Sequence, residues 1–269
     1  MTQLTGKIAV ITGGTQGLGA AIAHHFVQNG VAGVVICGRN ASKGKEVAAK
    51  LNSEGAARVE FVQADLSSVE DCRQVIATTD EIFGQVNILV NAGGMTDRGS
   101  ILDTEPELFD KIFATNVRGP FFLMQETIKV MRREKIEGSI VNICSMSALA
   151  GQPFIAAYCS SKGALATLTR NTAYALLRNR IRVNGLNIGW MASEGEDRIM
   201  RTYHGAEENW LEKAAAEQPF GRLISPEEVA RSVAFLASEE SGLMTGSIVN
   251  FDQTIWGAYD QADTPDAPL

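Results

Sequence analysis

The run Thr12-Gly-Gly-Thr-Gln-Gly-Leu-Gly19 constrains this chain more than any other segment, because of what flanks it. A short run rich in branched apolar residues, Lys7 to Ile11, leads into it, and an amphipathic stretch from Leu18 to Asn29 leaves it. That order is strand, glycine turn, helix. Gly13, Gly17 and Gly19 permit a tight turn and leave room for a ligand against the main chain, while the helix amino terminus offers N–H donors to a pyrophosphate.

The same rhythm continues. Strands are expected at Val34–Cys37, Val59–Gln63, Asn87–Val90, Gly138–Cys144, Ile181–Leu186 and Ser247–Phe251. Helices are expected at Ala41–Glu54, Val69–Phe83, Pro106–Lys135 and Tyr158–Leu177. Continuous apolar strands alternating with helices imply an α/β fold: a Rossmann-type, doubly wound, parallel seven-stranded sheet with helices on both faces. One catalytic domain over residues 1–269 is the economical organisation. Residues 191–220 interrupt the rhythm with charged and aromatic side chains and are expected to form a helical lid over the carboxyl ends of the strands. Residues 263–269 are expected to be a loose tail.

The formal net charge of −7 argues against a nucleic-acid surface, and Arg132, Arg133 and Lys135 form a solvated helix end. Cys37, Cys72, Cys144 and Cys159 have no CxxC spacing and are expected to be reduced thiols of a cytoplasmic protein. No apolar run approaches the length of a membrane span, and the three histidines do not space with the cysteines as metal ligands would.

Where the second strand ends, Cys37-Gly38-Arg39-Asn40 carries no carboxylate to grip a ribose 2′-hydroxyl. Arg39 offers a cation to a 2′-phosphate instead, favouring NADP over NAD. Thr15 and Gln16 in the glycine loop add no second cation. Asp65 can accept from an adenine amino group or cap a helix, with Leu66 beneath the ring. Asn91-Ala92-Gly93 follows the fourth strand, where small residues let the main chain approach the cofactor.

Tyr158 and Lys162 stand one helical turn apart, and Ser145 ends the neighbouring strand. A phenol is a poor base at neutrality, and an ammonium four residues on is expected to lower its pKa. Ser145 can hold a substrate oxygen beside Tyr158, which suits hydride transfer at the carbon bearing that oxygen.

With these motifs in place, the chain resembles the short-chain dehydrogenase/reductase family in its single-domain form, from Gly6 to Asp252. The family's TGxxxGxG matches Thr12, Gly13, Gly17 and Gly19; its NAG matches Asn91 to Gly93; its YxxxK matches Tyr158 and Lys162; its serine and helix asparagine match Ser145 and Asn116. The resemblance implies that Asn116 anchors a water in a proton relay, that Lys162 hydrogen-bonds the nicotinamide ribose, and that Gly189, Met191 and Ser193 lie on the carboxamide side. It also implies a homotetramer built through the two long helices and the last strand. Trp256 and Tyr259, costly to leave in water, are expected to cover a subunit seam or a neighbour's active site, or to pack on their own domain. The chain departs from the family's Pro-Gly at Ile188-Gly189, where a somewhat looser loop is expected.

Met95, Gln152, Phe154, Trp190, Arg198 and Trp210, with Glu194 and His204 nearby, are the candidate substrate contacts beside Ser145 and Tyr158. Their mixture of charged and aromatic groups favours a small polar substrate such as a sugar, polyol or cyclic hydroxyketone. The alternatives are a 3-oxoacyl carrier-protein reductase, which needs a basic docking surface, and a non-catalytic nucleotide-binding regulator, which has no need of Ser145, Tyr158 and Lys162 together.

Overall fold

The branched apolar runs pair side by side in a computed structural model that describes residues 4–149 and 151–255. The strands are β1 (Ile8–Thr12), β2 (Gly33–Gly38), β3 (Arg58–Gln63), β4 (Ile88–Asn91), β5 (Ser139–Ser145), β6 (Arg182–Ile188) and β7 (Ile248–Phe251). Between them run α1 (Gly17–Gln28), α2 (Ala41–Glu54), α3 (Val69–Phe83), α4 (Pro106–Phe113), α5 (Gly119–Arg133), α6 (Ala156–Ala175), α7 (Glu194–His204), α8 (Trp210–Ala216) and α9 (Pro226–Ala237). Trp256, Tyr259 and the 263–269 segment lie outside the described residues.

All seven strands are parallel, in the order β3-β2-β1-β4-β5-β6-β7. Strand β1 shows why the apolar runs are continuous. Ala9 and Ile11 pack with Ile22 and Phe26 of α1 and Val229 and Val233 of α9, while Val10 faces Val75, Ile76, Leu123 and Met131 on the opposite face. Both faces being covered, an alternating polar pattern has no place here. The order in which successive strands are added reverses between β1 and β4, and that switch point opens a crevice at the carboxyl ends of the strands.

The expected single helix over 106–135 is divided. A π-helical turn, Ala114–Arg118, separates α4 from α5, closed by the Gly119 N–H on the Ala114 carbonyl. The cause is Pro120, which has no N–H for the Asn116 carbonyl four residues back and whose ring would crowd that carbonyl in a regular turn. The wider turn relieves the clash, and Asn116 sits within it, as π-bulges at functional sites often do.

The looser loop expected at Ile188 is also corrected. Strand β6 continues through Ile188, which is buried and in register with Ser145 on one side and Phe251 on the other. Gly189 N then donates to the Phe251 carbonyl at 3.0 Å. Ladder pairing on both sides holds the segment where a proline's fixed φ was expected to be needed.

Candidate active site

The glycine loop closes over the switch point by backbone contact. A Cβ on Gly13 would lie 2.8 Å from Gly93 Cα, and one on Gly19 would overlap the Gly13 carbonyl. Thr12 Oγ1 accepts from Gly93 N at 2.9 Å, tying the end of β1 to the Asn91-Ala92-Gly93 turn, and Gly93 lies against Leu66. At Gly17, φ is +49° and an added Cβ would meet nothing, so the loop presents an open face there. Gln16 at the N-cap of α1 makes no side-chain cap, and the first turn, with Leu18, has no acidic residue. A helix amino terminus left with free donors at a switch point suits a pyrophosphate. Asn91 Oδ1 is buried without a partner among the described residues, although its Nδ2 reaches Asn142 Oδ1 at 2.8 Å.

On the adenosine side, Arg39 is exposed at the end of β2, and Thr15 packs against Gly38. Asn40 caps α2 by accepting from Lys43 N at 3.0 Å. The Lys43 ammonium reaches Gln16 Oε1 and Glu194 Oε2, each at 3.2 Å, so a second cation does stand over the glycine loop. It comes from α2 and not from the loop. Asp65 does not cap α3; Ser68 does, accepting from Asp71 N. Asp65 Oδ1 instead accepts from Ser67 N and Oγ at 2.9 and 2.7 Å, and these bonds, the main-chain one foremost, hold its carboxyl below the ordinary value.

Ser145, Tyr158, Lys162 and Asn116 converge. The Ser145 hydroxyl is near enough to the Tyr158 phenol to lower its pKa, and stands 2.8 Å from Ser147 Oγ. Asn116 Nδ2 donates to the Met95 carbonyl at 2.8 Å and to Ser161 Oγ at 3.0 Å, while its Oδ1 accepts from Met95 N at 2.8 Å. Its amide thus clamps the loop after β4 to α6. Lys162 is buried, its ammonium donating to the Ile143 carbonyl at 2.8 Å, and burial lowers its pKa.

One expectation fails here. Lys162 Nζ lies 5.7 Å from the Tyr158 ring centroid, with a donor turned to β5, and the phenol's pKa is raised, not lowered. Burial pushes Tyr158 up to about 12; the Ser145 hydrogen bond opposes this, and neighbouring acidic groups, Glu196 among them, add to it. Desolvation disfavours the charged phenolate and is the largest effect on this group.

The lid consists of α7 and α8. It is fastened to the sheet where Ile224 N donates to the Trp190 carbonyl at 3.0 Å and Ala192 N to the Ile224 carbonyl at 2.9 Å. Met191 pairs with Ile224, and Ser193 caps α7 on Glu196 N. Phe154, from the segment before Tyr158, packs edge-on to His204, and Arg98 lies over Phe154 and Tyr203 at 5.2 and 5.6 Å while donating to His204. Gln152, Phe154 and Arg198 are exposed, whereas Met95 and Trp190 are half-buried. Trp210 departs from its expected place as a substrate contact. It is 6 % exposed, packs with Trp190 and Leu223 inside the lid, and donates to Asp197 Oδ1 at 2.7 Å, so little of its surface remains to offer.

Lys43, Arg98, Ser147 and Tyr203 were not singled out from the sequence, and Glu196 stood out only as one charge of the 191–220 insert. The polar Thr96-Asp97-Arg98 directly after a strand end was the one available signal; the others depend on approaches between distant elements. Among the described residues no group of three or more His, Cys, Asp or Glu side chains is placed to hold a metal ion, and no helix is long and apolar enough to cross a membrane. All four cysteines are buried and unpaired.

A nucleotide cradle at the switch point and a serine–tyrosine pair at the next strand end define a dinucleotide-dependent α/β oxidoreductase. A family model described as "Enoyl-(Acyl carrier protein) reductase" matches residues 13–253. An NADP-dependent (R)-specific alcohol dehydrogenase of Lentilactobacillus kefiri is 35% identical, covering 91% of this chain and 94% of that one. A galactitol 2-dehydrogenase of Agrobacterium fabrum is 29% identical, over 94% and 99%. The crystal structure of L-sorbose reductase from Gluconobacter frateurii, complexed with NADPH and L-sorbose, superposes with a TM-score of 0.88 at 27% identity, covering 96% and 99%. The chain belongs to the short-chain dehydrogenase/reductase family and is an NAD(P)-dependent oxidoreductase.

Proposed function

We propose that this enzyme transfers a hydride between NADP(H) and a small polar carbonyl or hydroxyl compound, a sugar, polyol or cyclic hydroxyketone, with Tyr158 as general acid and base. The observation that carries this is the convergence of Ser145, Tyr158 and the buried Lys162 next to a lid of charged and aromatic side chains. When bound, the nicotinamide supplies the hydride in reduction and accepts it in oxidation. Tyr158 gives its phenolic proton to the substrate oxygen in reduction and takes it back in oxidation, and Ser145 holds that oxygen. Lys162 sits beside the turn after β4, a Cβ on Gly94 falling 3.4 Å from Nζ, and orients the nicotinamide ribose. Gly13, Gly17, Gly19 and the α1 N–H groups would hold the pyrophosphate, Asp65 and Leu66 the adenine, and Gly189, Met191 and Ser193 the nicotinamide. The relatives named for galactitol and for L-sorbose with NADPH support the substrate class.

NADP is favoured because Arg39 and Lys43 together offer two cations to a 2′-phosphate. Turnover followed at 340 nm, with NADPH or NADH against polar ketones, with oxidised cofactors against polyols, and with a 3-oxoacyl thioester as contrast, tests the reading. We expect NADPH and a polar substrate to be preferred. Arg39→Ala and Lys43→Ala should each raise the NADPH Kd about 10-fold and move that for NADH less than about threefold, as loss of one charge-assisted hydrogen bond implies. A preference for NADH overturns the cofactor assignment, and a preference for the thioester overturns the substrate class.

The protein is read as a homotetramer of the cytoplasm, where buried unpaired thiols stay reduced. Half-exposed Phe109 and Phe121 on the α4–α5 face, and Phe235 and Leu243 near β7, support burial against further copies. Light scattering should give a mass near four times 28.9 kDa, and a monomer mass overturns it.

A further inference from the structure

The first turn of α7 carries a carboxylate that the proton chemistry above leaves unused. Ser193 Oγ accepts from Glu196 N at 3.1 Å and fixes that turn, while Trp190 Nε1 donates to Glu196 Oε1 at 2.8 Å. Trp190 is in turn stacked on Trp210, ring centroids 6.3 Å apart, and Trp210 is tied to Asp197. The Glu196 side chain is therefore held in one orientation. Trp190, which holds the carboxylate, lies two residues past Ile188, the residue of β6 in register with Ser145. The charge of Glu196 is felt at the Tyr158 phenol.

Oε2 of Glu196 has no hydrogen-bond or ion-pair partner among the described residues, although the residue is half-buried. That oxygen is not among the buried unsatisfied atoms, so it is open to solvent and free to accept a hydrogen bond from a ligand donor placed there. Arg98 across the cleft is engaged by His204 and Phe154.

We propose that Glu196 is a specificity-determining residue whose free carboxylate oxygen accepts a hydrogen bond from a second hydroxyl of the substrate, selecting hydroxylated ketones over monofunctional ones. The inference rests on the small-polar-substrate reading. It makes the lid a reader of the carbon next to the reacting one, while Ser145 and Tyr158 read the reacting oxygen.

The test compares wild type, Glu196→Gln and Glu196→Ala at saturating NADPH on a ketohexose and on cyclohexanone. Gln keeps an acceptor for Trp190 and offers the substrate a donor where an acceptor is needed. For both variants the ketohexose KM should rise about 10-fold or more with kcat within about threefold, as expected when binding common to ground and transition states is lost. Cyclohexanone kcat/KM should stay within about threefold, by the same reasoning. A hexitol used as a competitive inhibitor of cyclohexanone reduction should lose affinity by the same factor as the ketohexose. Wild type that reduces cyclohexanone but no ketohexose overturns the polar-substrate reading and this inference with it. Wild type that reduces the ketohexose, with variants altered equally on both substrates or on neither, overturns the inference alone.

Discussion

Tyr158→Phe is expected to lower kcat by about 10³-fold or more in both directions while NADPH binding stays within about threefold, because the general acid is removed and the ring is kept. The phenyl retains the packing beside α6 and loses only the hydroxyl that Ser145 engages. The pH profile of wild type carries the same argument. With Tyr158 pushed up to about 12, the neutral phenol is the form present from acid to mildly alkaline pH, so the proton needed for reduction is in place throughout. Oxidation needs the phenolate, whose fraction rises tenfold per pH unit below the pKa. Oxidation kcat/KM should therefore climb with pH from 7 to 10 and reduction stay flat until the phenol itself begins to ionise. Stopped-flow and steady-state rates on wild type and Tyr158→Phe check this. A Phe variant within tenfold of wild type would mean that another group moves the proton, and a falling oxidation rate with rising pH would place the controlling titration on the Lys162 ammonium.

The central strands were legible because they are buried on both faces, leaving continuous branched apolar runs; the edge strands β3 and β7 are only half-buried. Helix α3 was legible to the residue, Val69 to Phe83, since Ser68 caps one end and Gly84, at φ 70°, stops the other. What escaped was local geometry set by a single main-chain group. Pro120 stands in plain sight in the sequence, but where helical pairing breaks to accommodate it depends on Gly119 approaching the Leu66 carbonyl, a tertiary contact.

The site divides along the same line. Residues carried by motifs at strand ends could be found because the topology delivers every strand end to one crevice. Spacing places Lys162 on the face of α6 that bears Tyr158, but it cannot say that the Ile143 carbonyl on β5 takes one of its protons. Lys43 approaches Gln16 from 27 residues away and Glu194 from 151, and nothing in its neighbourhood in the sequence marks it. Trp210 shows the reverse. An aromatic in a charged insert suggested a substrate wall, while the lid needed an apolar core of its own and took that side chain for it.

Gly19→Ala should weaken NADPH binding about 100-fold, about 2.7 kcal/mol, by disturbing the loop it closes on. The added methyl would overlap the Gly13 carbonyl, with Gly13 C at 2.6 Å and Gly14 N at 2.9 Å, and all of these are main-chain atoms that no rotamer change can move. Gly19 does not have positive φ, so the penalty is steric and not conformational. Helix α1 must draw back from the loop, taking its amino-terminal N–H groups away from the pyrophosphate they would cradle, and its packing on α9 resists the shift. Gly30→Ala is the matched control. Gly30 has φ +79° and only Thr5 Oγ1 near an added Cβ, at 3.4 Å, so this variant should cost about 1 kcal/mol of stability through backbone strain and leave the Kd for NADPH unchanged. Fluorescence titration for binding, with thermal unfolding alongside, separates the two effects. If Gly19→Ala binds NADPH like wild type, the loop is not the pyrophosphate site; if both variants lose binding in proportion to their loss of stability, the loop acts through folding and not through its shape.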